Sequence, residues 1–468
     1  MPSASSPVGE VAEPASKNLS HGLKVRHLTM MGLGSAIGAG LFLGTGVGIN
    51  AAGPAVLVSY AIAGLLVILL MRMLAEMASA VPSSGAFSRY ADLAIGRWAG
   101  FTTGWLYWFM LIMVLGVEIT GASRIVHGWV PGVPQWVVAL VFVAVFAVVN
   151  LSVVARFGEF EFWFAAIKVA AILAFLVVGV LVLTGVITVD QEVGFTAMLS
   201  NGGFAPNGIA GIAAGLLAVV FAFGGIEIVT IAAAESDDPA RSIAKAAAST
   251  VWRILFFYIG SVMVMVLILP WDSAELVAGP FVAVLAIAGI PGAVTVMEAV
   301  VVIALLSAFN ANIYATSRMV FSLSERGDGS PFFTRVSANG VPSRAVWTSV
   351  GFGLVSVGLN AWLPDQILGI LLNAVGATLL LVWAIIAVSE LRLRPRLEAD
   401  GTLSLRMWAY PFLTWFTLAL LAGIAVLMLF DDVASRQLVS AVGVAAIIVL
   451  VYAVRTALQR RRRRVEAD

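Results

Sequence analysis

The sequence predicts an all-α membrane protein, and three observations lead to that class. Of the 468 residues, 61% are hydrophobic and only 11% are charged, whereas a soluble domain is about 45–50% apolar and about 25% charged. The apolar residues also fall in long runs. Because backbone groups in lipid must satisfy their own hydrogen bonds, such runs predict helices and not barrel strands.

Twelve apolar segments have the length of membrane-spanning helices, which is about 20 residues. They cover residues 28–49, 54–79, 98–127, 133–153, 160–184, 209–235, 249–270, 292–322, 345–362, 366–390, 407–430 and 437–456. A further run at 281–290 is too short to span and is expected at the outer surface. No signal peptide is predicted, because residues 1–20 lack an apolar core.

These segments divide the chain into five regions. We predict a disordered cytoplasmic tail at 1–26, a first repeat of five spans at 27–184 and a second repeat at 208–391. Spans eleven and twelve then occupy 406–456, and a basic cytoplasmic tail occupies 457–468.

Basic residues predict the orientation in the membrane. Most of the 27 lysines and arginines face one side when the N-terminus is placed in the cytoplasm, as the positive-inside rule requires. Both termini of this multi-pass protein are therefore predicted on the cytoplasmic side of the inner (plasma) membrane. Five consecutive arginines, Arg460 to Arg464, either contact anionic lipid or form a plain stop-transfer anchor.

Several classes of function are excluded or disfavoured by composition. The chain has no cysteine and only three histidines, so thiolate catalysis and Cys- or His-rich metal sites are not expected. A net charge of +1 argues against nucleic-acid binding. The sequence contains no nucleotide-binding P-loop and no hydrolase motif. We therefore predict no enzyme activity, no metal, no cofactor and no obligate protein partner.

The first span is rich in glycine, with Gly32, Gly34, Gly38 and Gly40 in GLGSAIGAGLF. Glycines four residues apart allow close helix packing, which is one explanation. Alternatively, the span is broken and its second half begins between Ile37 and Gly40. The free N–H groups and the positive helix end would then suit a carboxylate.

The sixth span has a matching interruption in FAFGGIEIV, at Gly224 and Gly225. Glycine-interrupted helices at corresponding positions of two halves indicate a transporter built from inverted repeats. Span one begins the first group of five helices, and span six begins the second.

Charged residues within spans are costly in lipid, so each needs a partner or a role. Arg72 and Glu76 lie four residues apart and can pair on one helix face, in a structural or a gating role. Glu118 faces either another helix or the substrate. Glu227 follows the break in span six and either takes part in gating, proton transfer or substrate contact, or holds the broken helix by hydrogen bonds.

Lys168, in span five, is the most informative of these charges. Burial favours the neutral form of an amine, so this lysine can exchange a proton more readily than an exposed one. The alternative is a fixed ion pair with a glutamate in the membrane.

Eight stretches in one order make the sequence recognisable. They are LKVRHLTMMGLGSAIGAGLFLG (23–44), AGPAVLVSYAIAGLLVILLMRMLAEM (52–77), AIGRWAGFTTGWLYWF (94–109), FGEFEFWFAAIKV (157–169), FAFGGIEIVTIAAAES (221–236), VWRILFFY (251–258), YATSRMVFSLSERG (314–327) and LRMWAYPFLTW (405–415). The chain resembles the amino acid permeases of the amino acid–polyamine–organocation superfamily, and most of all the gamma-aminobutyrate (GABA) permeases.

The resemblance implies a leucine-transporter-type fold of twelve helices. Two inverted repeats of five helices, with helices 1 and 6 broken, are followed by two extra helices. The substrate carboxylate would bind at the break of span one, at Ser35, Ala36, Ile37, Gly38, Ala39 and Gly40. Its ammonium would bind at the break of span six, at Ala222, Phe223, Gly224 and Gly225. Phe223 resembles the aromatic gate of the family; an ordinary core aromatic is the alternative.

Residues of spans three, five and eight complete the implied site. Glu118 matches an acidic position that would bind the distal amino group of an omega-amino acid, and Asn310 is expected at the same pocket. Lys168 matches a lysine that replaces sodium in proton-coupled relatives, near Ser307. Span eight departs from the GABA permease pattern at Phe309 and Asn312.

We therefore predict proton-coupled symport of GABA or another omega- or neutral amino acid into the cytoplasm by alternating access. Lys168, Glu227 and Ser307 are the predicted proton-coupling residues, and the predicted partners are the amino acid, protons and membrane lipid. The alternatives are an aromatic amino acid/proton symporter, an amino acid exchanger and, more remotely, a membrane receptor that does not transport.

Overall fold

The computed structural model describes residues 37–83, 85–151, 154–228, 230, 241, 243–245, 248–249, 252, 254–337, 340–363, 367–430 and 432–465. Within these ranges the regular structure is entirely helical. The α-helices, numbered along the described residues, are α1 (Thr45–Ala52), α2 (Val56–Ala80), α3 (Ala86–Ala94), α4 (Arg97–Trp129), α5 (Gln135–Leu151), α6 (Val154–Leu183), α7 (Phe195–Ser200), α8 (Gly208–Ala222), α9 (Gly260–Ile268), α10 (Ala274–Ala278), α11 (Pro280–Ile287), α12 (Ala293–Glu325), α13 (Ser343–Trp362), α14 (Ile367–Ala399), α15 (Phe412–Met428) and α16 (Asp432–Val465). Two π-helical segments, Gly40–Gly44 and Ile254–Ile259, precede α1 and α9 directly. Short 3-10 turns occur at Gly53–Ala55 and Pro331–Thr334.

Seven helical stretches in the described part of the chain are long and apolar enough to cross a membrane. They are Gly40–Ala80, Arg97–Trp129, Glu161–Leu183, Ala293–Glu325, Ser343–Trp362, Val375–Ala399 and Ala434–Arg461. Shorter apolar helices occupy Gln135–Leu151, Gly208–Ala222, Phe256–Ile268 and Phe412–Met428. Each of the twelve apolar segments thus contains helix, and the run at 281–290 forms most of the short helix α11.

The centre of the bundle is formed by α4 and α12, which pack along each other and are both 33 residues long. At 1.5 Å per residue a helix of this length extends about 50 Å, more than the hydrocarbon core requires. The middle of α12 is almost completely buried, including Ser307, Asn310 and Arg318. The two helices therefore bring polar groups into the interior of an otherwise apolar bundle.

The segment before α2 packs closely against α10. A Cβ atom added at Gly46 would lie 1.8 Å from the carbonyl oxygen of Leu276. No residue with a side chain fits at this position without a backbone shift, so α1 and α10 are in direct main-chain contact.

A buried ion pair joins α2 to α14. Arg394 Nη1 lies 2.6 Å from Glu76 Oε2, and both side chains are buried. The backbone N–H of Met407 also donates to this carboxylate. Arg72, the expected partner of Glu76 one turn away, instead donates from Nε to the carbonyl oxygen of Arg406 at 2.9 Å. The expected pair of Arg72 and Glu76 is therefore replaced by the ion pair of Glu76 and Arg394, which are 318 positions apart in the sequence.

Candidate functional site

A narrow cleft lies between the helical segment that begins at Gly40 and the end of α8. The cavity inside it measures about 20 Å³, which is room for about one water molecule. Its backbone-rich wall comes from Gly38 and Gly40 on one side and from Ala222, Gly224 and Gly225 on the other. The first helical segment begins here and α8 ends here, so main-chain N–H and C=O groups border the same space.

The opposite wall of the cleft is apolar apart from two side chains. Helix α4 contributes Met110, Leu111 and Val114, and α14 contributes Val375. Glu118 of α4 and Asn312 of α12 are the polar side chains that also border the space. A molecule with a charged head group and an apolar body matches this division.

Glu118 extends from α4 to the backbone N–H of Ala39, directly before the helical segment that begins at Gly40. Both of its carboxylate oxygens lie 3.2 Å from the backbone nitrogen of Ala39. A Cβ atom added at Gly38 would lie 2.7 Å from Glu118 Oε1. The glycine thus makes room for the carboxylate, and in this structure a carboxylate of the protein occupies the position expected for that of the substrate.

The start of the first helical segment and the end of α8 touch each other through their backbones. A Cβ atom added at Gly40 would lie 2.4 Å from Cα of Ala222 and 2.9 Å from the carbonyl oxygen of Phe221. Gly225 has φ +96°, a conformation that glycine adopts without strain. Helix α8 ends at Ala222, and the following residues form turns.

Phe223, at the end of α8, is completely buried in an aromatic cluster. Its ring stacks on that of Tyr258 with centroids 4.5 Å apart, and it meets Tyr60 edge-on at 5.9 Å. The hydroxyl groups of Tyr60 and Thr45 share a 2.7 Å hydrogen bond. The cluster therefore connects α1 and the end of α8 to α2 and to the π-helical segment Ile254–Ile259.

A second polar group lies around Lys168 on α6, and the charges of Glu161 and Glu118 both act on it. Ser307 Oγ of α12 donates to Glu161 Oε1 at 2.7 Å. Asn310 Oδ1 accepts from Asn150 Nδ2 at 2.8 Å. All five of these polar side chains on α5, α6 and α12 are at least 95% buried.

The predicted site residues fall into these two groups. Ile37, Gly38, Ala39, Gly40, Glu118, Ala222, Gly224 and Gly225 lie in or beside the cleft, whereas Asn310 lies with Lys168 and Ser307. Glu227 is buried beyond the break of α8, near the hydroxyl group of Tyr107. Ser35 and Ala36 lie outside the described residues. Phe309 packs on Phe146 and does not border the cleft.

Sequence reasoning missed Glu161 and Asn150. Glu161 lies seven residues before Lys168, and this spacing places both on one face of a helix. That spacing was the available signal. The sequence contains no such signal for Asn150, because its hydrogen-bond partner Asn310 is 160 residues away.

The family is decided by a model that matches most of the chain. Residues 27–467 match the family described as "Amino acid permease". The chain belongs to the amino acid permease family. The resemblance found in the sequence is thereby confirmed, and so is the expectation that this chain is not an enzyme, since the permeases are transporters.

Relatives of this amino acid permease are named for two different classes of substrate. It is 56% identical over 435 residues to an aromatic amino acid transport protein of Corynebacterium glutamicum, covering 92% of this chain and 94% of that protein. It is 44% identical over 434 residues to a gamma-aminobutyric acid permease of Bacillus subtilis, covering 92% of each. A gamma-aminobutyric acid permease of Escherichia coli is 43% identical over 92% of this chain and 93% of its own length.

The family and the apolar helices together identify this permease as a multi-pass membrane protein that transports amino acids. Among the described residues, no group of three or more His, Cys, Asp or Glu side chains is arranged to hold a metal ion.

Proposed function

We propose that this permease is a secondary active transporter that carries an amino acid together with a proton into the cytoplasm by alternating access. Its twelve spans would form two inverted repeats, at 27–184 and 208–391, followed by two further helices at 406–456. The tails at 1–26 and 457–468 would both be cytoplasmic, with the protein in the inner membrane. Lipid would be its surroundings, and it would need no obligate protein partner.

The two broken helices would hold the main-chain ends of the substrate. Its carboxylate would accept hydrogen bonds from the segment Ser35–Gly40, where the N–H of Ala39 donates to Glu118 beside the cleft. Its ammonium would donate to carbonyl groups near Ala222 and Phe223. Helix ends serve this purpose at the membrane midplane because their unpaired backbone groups line a cavity. The observation that carries the proposal is a carboxylate, that of Glu118, bound at this N–H.

We favour an aromatic amino acid as the substrate over GABA. The apolar wall formed by Met110, Leu111, Val114 and Val375 would contact an apolar side chain once the cleft widens to admit a substrate. The 56% identity to an aromatic amino acid transport protein supports the same choice. GABA, the substrate first predicted from the sequence, is the second candidate, because two GABA permeases are 43–44% identical to this chain.

The group around Lys168 would couple transport to the proton. A lysine between two carboxylates, Glu161 and Glu118, can hold or release a proton as the charges near it change. Ser307 would fix Glu161, and Glu227 would follow movements of the second broken helix. Inward movement of one charge supplies about 2.3 kcal/mol per 100 mV of membrane potential.

The proposal is tested by uptake into proteoliposomes. Labelled phenylalanine and labelled GABA are offered with an inward proton gradient or an inward sodium gradient, with excess alanine, phenylalanine or lysine as competitors. We expect proton-driven accumulation of phenylalanine that is insensitive to sodium and abolished by a protonophore. Proton-driven GABA uptake that phenylalanine does not displace would favour the second candidate. Counterflow without any response to the proton gradient would instead indicate an exchanger.

A further inference from the structure

The carboxylate of Glu118 accepts a hydrogen bond from the backbone N–H of Ala39. The proposed function assigns the same N–H to the carboxylate of the substrate. The two oxygens of Glu118 are equidistant from Ala39 N, at 3.2 Å. Among the described residues, this backbone group is the donor that holds Glu118 by a hydrogen bond. In the part of the chain that the structure describes, no side chain donates a hydrogen bond to Glu118. A buried carboxylate held in this way by one backbone N–H can be displaced by a second carboxylate that brings better partners.

The surroundings of Glu118 are built for a carboxylate and not for an ammonium group. Gly38 leaves the space that Oε1 fills, and a Cβ atom there would also lie 2.9 Å from Cβ of Ala308. The charged group that acts on Glu118 is the ammonium of Lys168. A substrate ammonium placed at Glu118 would therefore meet a cation nearby and would compete with it.

We infer that Glu118 competes with the substrate: its carboxylate occupies the substrate-carboxylate site of the empty transporter, and the carboxylate of the incoming amino acid displaces it. This inference rests on the proposed function. The displaced carboxylate of Glu118 then interacts with the ammonium of Lys168. Substrate binding in the cleft thereby changes the charge environment of the proposed coupling residues, although the substrate and Lys168 are not in direct contact.

This inference assigns Glu118 a role opposite to the one implied by the resemblance. A ligand for a distal amino group attracts amines, whereas a displaceable carboxylate weakens the binding of carboxylates. The two roles predict opposite effects of removing the charge. Glutamine keeps the shape of the side chain but is a neutral, weaker acceptor for Ala39 N–H.

The test is a binding assay on the full-length permease in lipid nanodiscs, with labelled phenylalanine as the probe. The competitors are 3-phenylpropionate, which lacks the amine, and 2-phenylethylamine, which lacks the carboxylate. The variants are Glu118→Gln and the matched control Glu390→Gln. Glu390 is also a buried carboxylate in a span, but it accepts from Thr414 at 2.8 Å and does not border the cleft.

We expect 3-phenylpropionate to compete about tenfold better in Glu118→Gln than in the wild type, because a neutral rival is easier to displace. Competition by 2-phenylethylamine should be unchanged, and Glu390→Gln should match the wild type for both competitors. Should Glu118→Gln fail to give a monodisperse protein, Glu118→Asp serves instead. The aspartate side chain is one methylene shorter, so its carboxylate lies further from Ala39 N. We expect 3-phenylpropionate to compete better in this variant as well.

Two results would overturn the inference. Loss of competition by 2-phenylethylamine in Glu118→Gln would make Glu118 an ammonium ligand. Unchanged competition by both compounds would remove Glu118 from the site. A wild-type protein that binds no amino acid in a panel of neutral, aromatic and omega-amino acids would contradict the proposed function itself, which is a different outcome from either of these.

Discussion

Glu76 and Glu118 are both buried glutamates in membrane-spanning helices, yet their surroundings differ completely. Glu76 has a guanidinium 2.6 Å away and a backbone N–H donor from Met407. Within the described residues, Glu118 accepts from one backbone N–H, that of Ala39, which lies 3.2 Å from each oxygen. The first carboxylate is matched by a fixed opposite charge, and the second lies at the edge of a cleft.

The difference indicates how a membrane protein separates structural charges from functional ones. Removing one partner of a buried ion pair leaves an uncompensated charge, so such a pair holds its helices in one arrangement. A carboxylate held by a single N–H can change partners at lower cost. We therefore expect changes near Glu76 to alter stability and changes near Glu118 and Lys168 to alter transport.

The largest effect on transport is expected from Lys168→Ala. Without the ammonium between Glu161 and Glu118, proton movement should no longer drive accumulation, and the internal substrate concentration should rise only to its equilibrium value. Exchange of labelled for unlabelled substrate should partly survive. Uptake under a proton gradient and counterflow without a gradient measure the two activities separately. Unchanged concentrative uptake would remove Lys168 from the mechanism.

A large effect is also expected at the contact between Gly40 and the end of α8. Gly40→Ala places a Cβ atom 2.4 Å from the backbone of Ala222, and main-chain atoms cannot move aside as a side chain can. We expect loss of transport while the protein remains in the membrane. Gly44→Ala is the matched control, because its nearest contact is a side-chain atom of Phe221 at 3.4 Å. Equal activity of the two variants would contradict this account of the contact.

On the structural side, Glu76→Gln should destabilise the protein by about 3 kcal/mol, because Arg394 loses its buried counter-charge and keeps only the half-exposed Glu398, 4.0 Å away. The measurement is thermal unfolding of the purified protein. Protein that remains folded should bind substrate with unchanged affinity. The double variant Glu76→Leu with Arg394→Met should recover much of the loss, since it removes both charges. A weaker substrate affinity in Glu76→Gln would contradict the separation of the two carboxylates.

The smallest effect is expected from Tyr410→Phe. The guanidinium of Arg394 lies over the Tyr410 ring, 4.7 Å from its centroid, and this contact survives the substitution. The variant loses only the hydrogen bond from the hydroxyl group to the carbonyl oxygen of Leu391, at 3.0 Å. We expect a loss of about 1 kcal/mol in the free energy of unfolding. Tyr410→Ala, which removes the ring as well, should cost clearly more.

The parts of the fold that the sequence predicted correctly depend on local chemistry. Apolar runs of helical length correspond to helices, because lipid requires them wherever they occur. The end of α8 at Ala222 was also predictable, because two consecutive glycines follow within three residues. The division of the chain into two inverted repeats stays a prediction.

The parts that were not predictable depend on contacts between distant residues. Arg72 and Glu76 satisfy the local rule for a helical pair, yet Arg394 and Met407 are better placed and bind Glu76 instead. Glu161 stood at the edge of a predicted span, where a carboxylate needs no special explanation. Its spacing of seven residues from Lys168 was the one signal in the sequence, and its hydrogen bond with Ser307, 146 residues away, shows that it is part of the group around Lys168.

The close contact between Gly46 and Leu276 has a consequence for following this permease in motion. With main chain lying directly on main chain, α1 and α10 have no side chain between them to absorb sliding, so they should travel as one rigid body. The chain contains no cysteine, so cysteines introduced at exposed positions such as Val47 and Glu275 would be the sole attachment points for spin labels. A pair within this unit would give a constant reference distance, against which the displacement of any other helix could be read.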